Sequence, residues 1–202
     1  DPAYSDRMRA SLMALPSLMI VTAVENLDIY FEDPLARGIE TERPVSVEWI
    51  DPADASAGFQ TDAGLRIQGH LGRSELVAKH SFRLVFRKAY GPAHLEFDLF
   101  PDSAVESFDT LVLRAGNNES YAGHPSSKTR LATYAKDEWL RRSQIAMSGF
   151  GVHGRFVHLY LNGLYWGVYD VVERPNASFA ASTFGGDKED WVFAKAGGAD
   201  EG

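Results

Sequence analysis

The sequence predicts an α+β domain, a mostly antiparallel twisted sheet with one long helix packed across it. Three observations carry that expectation. Several short segments alternate apolar and polar residues with the period of two that half-buried strands require. Eighteen glycines and nine prolines fall mostly between those runs, where turns are needed. One stretch, 128–147, spaces apolar residues by three and four, as an amphipathic helix does.

Taken in order, residues 3–14 place Met8, Leu12 and Leu15 on one helical face, and Pro16 ends that run. Leu18–Thr22 is a short buried strand, and 24–43 is charged and loop-like, broken by Pro34 and Gly38. Pro44–Ile50 sets Val45, Val47 and Trp49 against Ser46 and Glu48, and 51–58 is a turn. Ala63–His70 and Ser81–Arg87 form two antiparallel strands joined by a Gly-containing loop, and Phe108–Arg114 adds another. The long helix uses Leu131, Tyr134, Ala135, Trp139, Ile145 and Ala146, with Ser126 or Ser127 as its cap and Gly149 as its stop. In Arg155–Glu173, two aromatic-rich strands flank Asn162-Gly163, the pair that a type I′ hairpin turn favours. A short helix over 176–183, a turn at 185–187 and a strand over 191–195 complete the order.

Composition narrows the function. With 202 residues, 45% of them hydrophobic, the chain can bury one sizeable core. A net charge of −8 argues against non-specific nucleic-acid binding, which needs clustered cations. Binding one nucleotide needs only a local positive patch. There is no cysteine, so disulfides, thiolate catalysis and Cys-based zinc sites are out. The six histidines lack zinc-ligand spacing, and Asn118, Glu119 and Ser120 read as a polar turn. Leu18–Val24, the longest apolar stretch, is far too short to span a membrane. A start at Asp1 without Met and an abrupt end at Gly202 lead us to expect a fragment of a longer chain.

Several segments then fall into one pattern. They are Gly64–Gly69 (GLRIQG), Lys79–Leu84 (KHSFRL), Phe97–Phe100 (FDLF), Leu111–Arg114 (LVLR), Tyr134–Asp137 (YAKD) and Val157–Glu173 (VHLYLNGLYWGVYDVVE). Together they resemble the CotH family, named for a bacterial spore-coat protein and including atypical secreted protein kinases. The resemblance covers roughly residues 17–198, with 1–16 as a lead-in and 17–202 as an incomplete domain. It implies a fold like a kinase small lobe, transfer of phosphate from ATP to Ser or Thr of a protein substrate, a divalent cation such as Mg, and an extracellular, cell-surface or spore-coat location. It also implies that the catalytic and metal-binding carboxylates lie beyond residue 202.

The resemblance puts a lysine at position 79. Standing at the mouth of a strand just after a Gly-containing loop, Lys79 can meet phosphate as a point charge. Arg66, Arg73 and Arg83 surround the same loop as a cationic rim. A helix acid, Asp137 in preference to Glu138, would steady Lys79, and Glu173 would sit at a hinge near the adenine or ribose. The bland alternatives are a solvated strand-edge lysine, polar-face arginines, a helix acid paired with Arg141 and a strand-end acid paired with Arg174 or Arg155. The hairpin aromatics Tyr160, Tyr165, Trp166 and Tyr169 are expected to pack across the strands. The competing function is a non-catalytic cell-surface scaffold or adhesion module on the same fold.

Overall fold

A computed structural model describes residues 2–54, 56–117, 132–195 and 198–200. In chain order the strands are β1 (Ser17–Val21), β2 (Arg43–Ile50), β3 (Gly58–Gln68), β4 (Ser81–Val85), β5 (Leu95–Glu96), β6 (Ser107–Phe108), β7 (Thr110–Arg114), β8 (Gly154–Leu161), β9 (Leu164–Glu173), β10 (Phe193–Lys195) and β11 (Gly198–Asp200). The α-helices are α1 (Met8–Leu12), α2 (Asp28–Phe31), α3 (Lys136–Ser148) and α4 (Ala177–Phe184).

Seven strands close into a barrel in the order β1-β2-β3-β4-β7-β9-β8. Every neighbouring pair is antiparallel except the seam, where β1 runs parallel to β8 from Ser17↔His158 to Ile20↔Leu161. Alternation decides what fills the interior. Leu18 and Ile20 of β1, Val45, Val47 and Trp49 of β2, and Leu65 and Ile67 of β3 point inward and are buried. Phe82 and Leu84, Leu111 and Leu113, Val157, Leu159 and Leu161, and Tyr169 and Val171 complete one continuous core. One end of this core is covered by Phe97, whose ring lies 4.9 Å from Phe59 and 6.2 Å from Trp49. At the other end Tyr30 of α2 packs 5.6 Å from Phe82 and 5.4 Å from Trp166.

The hairpin forms as its sequence dictates. Asn162 and Gly163 both adopt positive φ, 48° and 79°, which gives the twist a two-residue β-turn needs. Asn162 also ties the turn to β1, since its side-chain oxygen accepts from Thr22 N at 2.9 Å.

The expected sheet with a long helix across it is not what forms. The period-two pattern finds individual strands, but it carries no information on whether the first strand meets the last. Here β1 finds β8 more than 130 residues away, and closure removes both sheet edges. The helix is shorter than expected. Residues 128–131, with Ser126 and Ser127, lie outside the described residues, Tyr134 has φ 60°, and α3 starts at Lys136. Nor does α3 bury an apolar stripe. Trp139 is 66% exposed and Met147 82%, while the buried residue of the helix is Glu138.

Candidate functional site

Lys79 occupies a gap that the ladder itself creates. On β7, Leu113 pairs with Phe82 of β4 and Arg114 with Asp170 of β9, and there β7 ends. The chain leaves at Gly116, so the next outward carbonyl of β9, that of Val168, loses its strand partner. Lys79 Nζ crosses from the start of β4 and donates to Val168 O. The same ammonium lies 4.2 Å above the Tyr169 ring, a cation–π contact. Gly167 lets it approach. Its φ of +112° suits glycine, and a Cβ there would stand 3.4 Å from Nζ. Two hydroxyls fix the backbone around the lysine: Tyr30 donates to Ala78 O at 3.0 Å and Tyr169 to His80 O at 2.8 Å.

The half-buried amine faces a hollow of about 560 Å³ lined by Leu15, Lys79, Thr133, Tyr134, Ala135, Phe156, Trp166, Gly167 and Val168. Among these described walls Lys79 is the one charged side chain. Burial pushes its ammonium down from the ordinary range to about 8. Lysine has three N–H donors, and among the described residues Val168 accepts one of them. A second hollow of about 470 Å³ is polar, with Gln68, His70, Ser81, Arg114, Asn117, Lys136 and Asp137 in its lining. A narrow passage bounded by Arg114, Gly116, Tyr134, Asp137, Phe156 and Val168 shares walls with both. The outer faces of β4, β7, β9 and β8 and the start of α3 thus make one furrow, apolar with a single amine at one end and polar at the other.

The remaining predicted residues scatter. Arg66 pairs with Glu42 at 3.1 Å, and Arg87 shares that buried carboxylate at 3.2 Å. Arg73 is buried in the loop after β3, where it donates to four carbonyls: Gly69 at 2.9 Å, Pro34 at 3.2 Å, Ala36 at 2.5 Å and Ile67. Its guanidinium holds the loop together, so the structure spends it on backbone. Burial and the nearby Arg37 and Arg66 charges lower its pKa. Arg83 stands opposite Arg66 in the β3–β4 register and donates to Gln68 Oε1 at 2.8 Å.

Both helix acids have partners other than the lysine. Asp137 pairs with Arg114, while Glu138 accepts from Arg141 at 2.7 Å and from Arg142 at 2.5 Å. Arg141 reaches on to Asp170 of β9. No carboxylate pairs with Lys79 among the described residues. Burial raises the Asp170 carboxyl to about 6, although Arg141 beside it pulls the other way. Glu173 is 2% exposed and accepts from His153 N at 2.7 Å and His153 Nδ1 at 2.9 Å. Burial raises its pKa and those two bonds oppose the rise. It stands five residues beyond Val168 on β9, roughly 16 Å along the strand from the lysine's contact.

Sequence reasoning missed the furrow's other parts. Arg114 and Asp170 looked like ordinary strand residues, yet a charge inside the apolar run Val168–Val172 was a legible sign of a buried partner. Of the hairpin aromatics, Tyr160 and Tyr165 do pack across the strands, with ring centroids 5.4 Å apart. Trp166 instead lines the hollow, and Tyr169 turns inward beneath the lysine. The polar turn at Asn118–Ser120 lies outside the described residues. Among the described residues no three His, Asp or Glu side chains are grouped to hold a metal ion.

Comparison with curated proteins gives no match. A family model described as CotH kinase protein matches residues 65–201, which runs from within β3 through the last strand and includes Lys79, α3 and the hairpin. That match covers more than half of the sequence, and the chain therefore belongs to the CotH kinase family, with a function that is kinase-like at the level of the family.

Proposed function

We propose that this chain is the nucleotide-holding portion of a CotH-type kinase that passes phosphate from ATP to a Ser or Thr hydroxyl of a protein, and that Lys79 is its phosphate cation. The observation that carries this reading is the placement of Lys79. It is a single amine, anchored at Val168 O and Tyr169, in the wall of a furrow with an apolar hollow at one end and polar groups at the other. Burying an ammonium costs stability unless a partner repays it. An anionic ligand does so, and the lysine's remaining N–H donors are suited to phosphate oxygens. The aromatic faces of Phe156 and Trp166 supply apolar area for a base. Lys136 adds positive charge along the same furrow, beside the Arg114–Asp137 ion pair.

Calorimetric titration with ATP and Mg tests this on the wild type and on Lys79→Ala. The expected result is a loss of at least about tenfold in affinity for the variant, the range for one buried charge-assisted contact. Equal affinity removes Lys79 from the site.

A further inference from the structure

We propose that the outward face of α3 is a dimer interface, on which a second copy of this chain packs its own α3 antiparallel about a two-fold axis close to Ser143. The inference rests on the helix and the surface around it and does not draw on the nucleotide reading.

A surface helix ordinarily turns its apolar face to its own core. In α3 the faces are exchanged. Buried Glu138 and half-buried Arg141 point to the barrel, where Arg141 bridges Glu138 and Asp170. Trp139, Leu140 and Met147 point away from it and are exposed. Trp139, Ser143 and Met147 follow one another at intervals of four, so they form one row along the helix. The apolar surface continues past the helix end, where the Phe150 ring lies 5.2 Å from Phe184 of α4 and Phe184 lies 5.5 Å from Trp191. The exposed parts of Trp139, Leu140, Met147, Phe150 and Phe184 amount to roughly 600 Å², as much as the largest apolar patch of an ordinary monomer. With a polar rim added, this approaches the ~800 Å² per partner of a standard stable interface.

Three features select a second copy as the occupant. The row is complementary to itself. Small Ser143 at its middle lets two helices approach closely, and a two-fold axis there sets Trp139 of each copy against Met147 of the other, an aromatic–thioether contact. The ends of the patch carry opposite charge. Lys136 and Arg142 flank Trp139, whereas the 187–190 segment beside Trp191 holds Asp187, Glu189 and Asp190 against Lys188. A two-fold axis brings the basic end of one copy to the acidic end of the other. Finally, the Ser143 hydroxyl already donates to Trp139 O at 2.7 Å, so covering it leaves no orphan donor.

The test is sedimentation velocity of the wild-type chain over concentrations from about 1 to 100 μM, the range in which a modest interface assembles. The expected result is a reversible monomer–dimer equilibrium. Met147→Glu changes an exposed side chain and leaves the barrel contacts of α3 as they are. The two-fold axis places that change in the interface twice, so the dissociation constant is expected to rise at least about a hundredfold. The chain has no cysteine, so Ser143→Cys reports on this face alone. Under mild oxidation it is expected to give a covalent dimer at concentrations where Lys88→Cys, exposed in the segment after β4, stays monomeric. A wild type that remains monomeric throughout overturns the inference and leaves the face to a different partner. A dimer that Met147→Glu does not weaken overturns it too, since another surface then joins the copies.

Discussion

At the scale of single residues, Lys79 works against the fold that holds it. Its ammonium titrates at about 8, below the unfolded value of about 10.4, so the folded chain binds fewer protons than the unfolded one between those pH values. The stability it contributes is therefore present above the unfolded pKa and lost as pH falls through 8. At pH 7 the buried charge is a net cost. Replacement by an apolar side chain of similar length removes that cost, so Lys79→Met is expected to stabilise the unliganded protein by about 2 kcal/mol at pH 7. The gain should vanish by about pH 10.5. Urea unfolding of both proteins across pH 6–10.5 measures it, and a variant less stable at pH 7 would mark the lysine as structural. The sequence alone offered the residue but not its environment. A lysine at a strand mouth reads the same whether it faces water or a gap in the ladder. What distinguishes the two is where β7 stops, a long-range fact. Arg73 makes the complementary point, since a loop arginine reads as phosphate-ready until four carbonyls are found around it.

At the scale of elements, α3 is held to the barrel by charge more than by apolar area. Its first turn carries Asp137 and Glu138, well placed for the helix dipole, and Gly149 ends it in the left-handed region with its N–H on Ile145 O at 2.7 Å. The attachment runs through Asp137–Arg114 and through Arg141, which bridges Glu138 and Asp170. Gly154 of β8 makes room for the bridge, because a Cβ there would come within 2.6 Å of Arg141 Nη2 and 2.7 Å of Glu138 Oε2. Asp170 has a pKa of about 6 against about 3.9 unfolded, so its contribution is fully present below the unfolded value and lost as pH rises through 6. Wild type minus Asp170→Asn stability should accordingly grow as pH falls from 6 to 4, by about 2 kcal/mol. Denaturant titrations at the two pH values check this, and a difference that shrinks towards pH 4 would mean that Arg141 outweighs burial. Helix periodicity located α3 but misassigned its face. The spacing of Trp139 and Ile145 promised an apolar stripe, and the bridge of Arg141 between Glu138 and the strand acid Asp170 prevailed because those charges sit over Gly154.

At the scale of the whole molecule, the strands were legible one by one, and so was the Asn162-Gly163 turn. Closure was not, because the seam joins residues 17–20 to 158–161 and no local pattern records that pairing. Two backbone bonds at the seam make it testable: His158 N donates to Pro16 O and Asn162 N to Ile20 O, each at 2.8 Å. In an open sheet β8 would be an edge and both amides would exchange freely. In the closed barrel they should exchange at least about a thousandfold more slowly than in the unfolded chain, as core ladder amides do. Rapid exchange at both positions would mean that the wall is open. The barrel matters to function because its wall fixes where β7 ends and thus where the gap for Lys79 lies. The most direct measurement is ATP affinity of the wild type and of Lys79→Ala at pH 7.5 and pH 9.5. If the charged amine grips phosphate, wild-type affinity falls by roughly tenfold at the higher pH while the variant's stays weak and flat. Parallel behaviour of the two proteins at both pH values would contradict it.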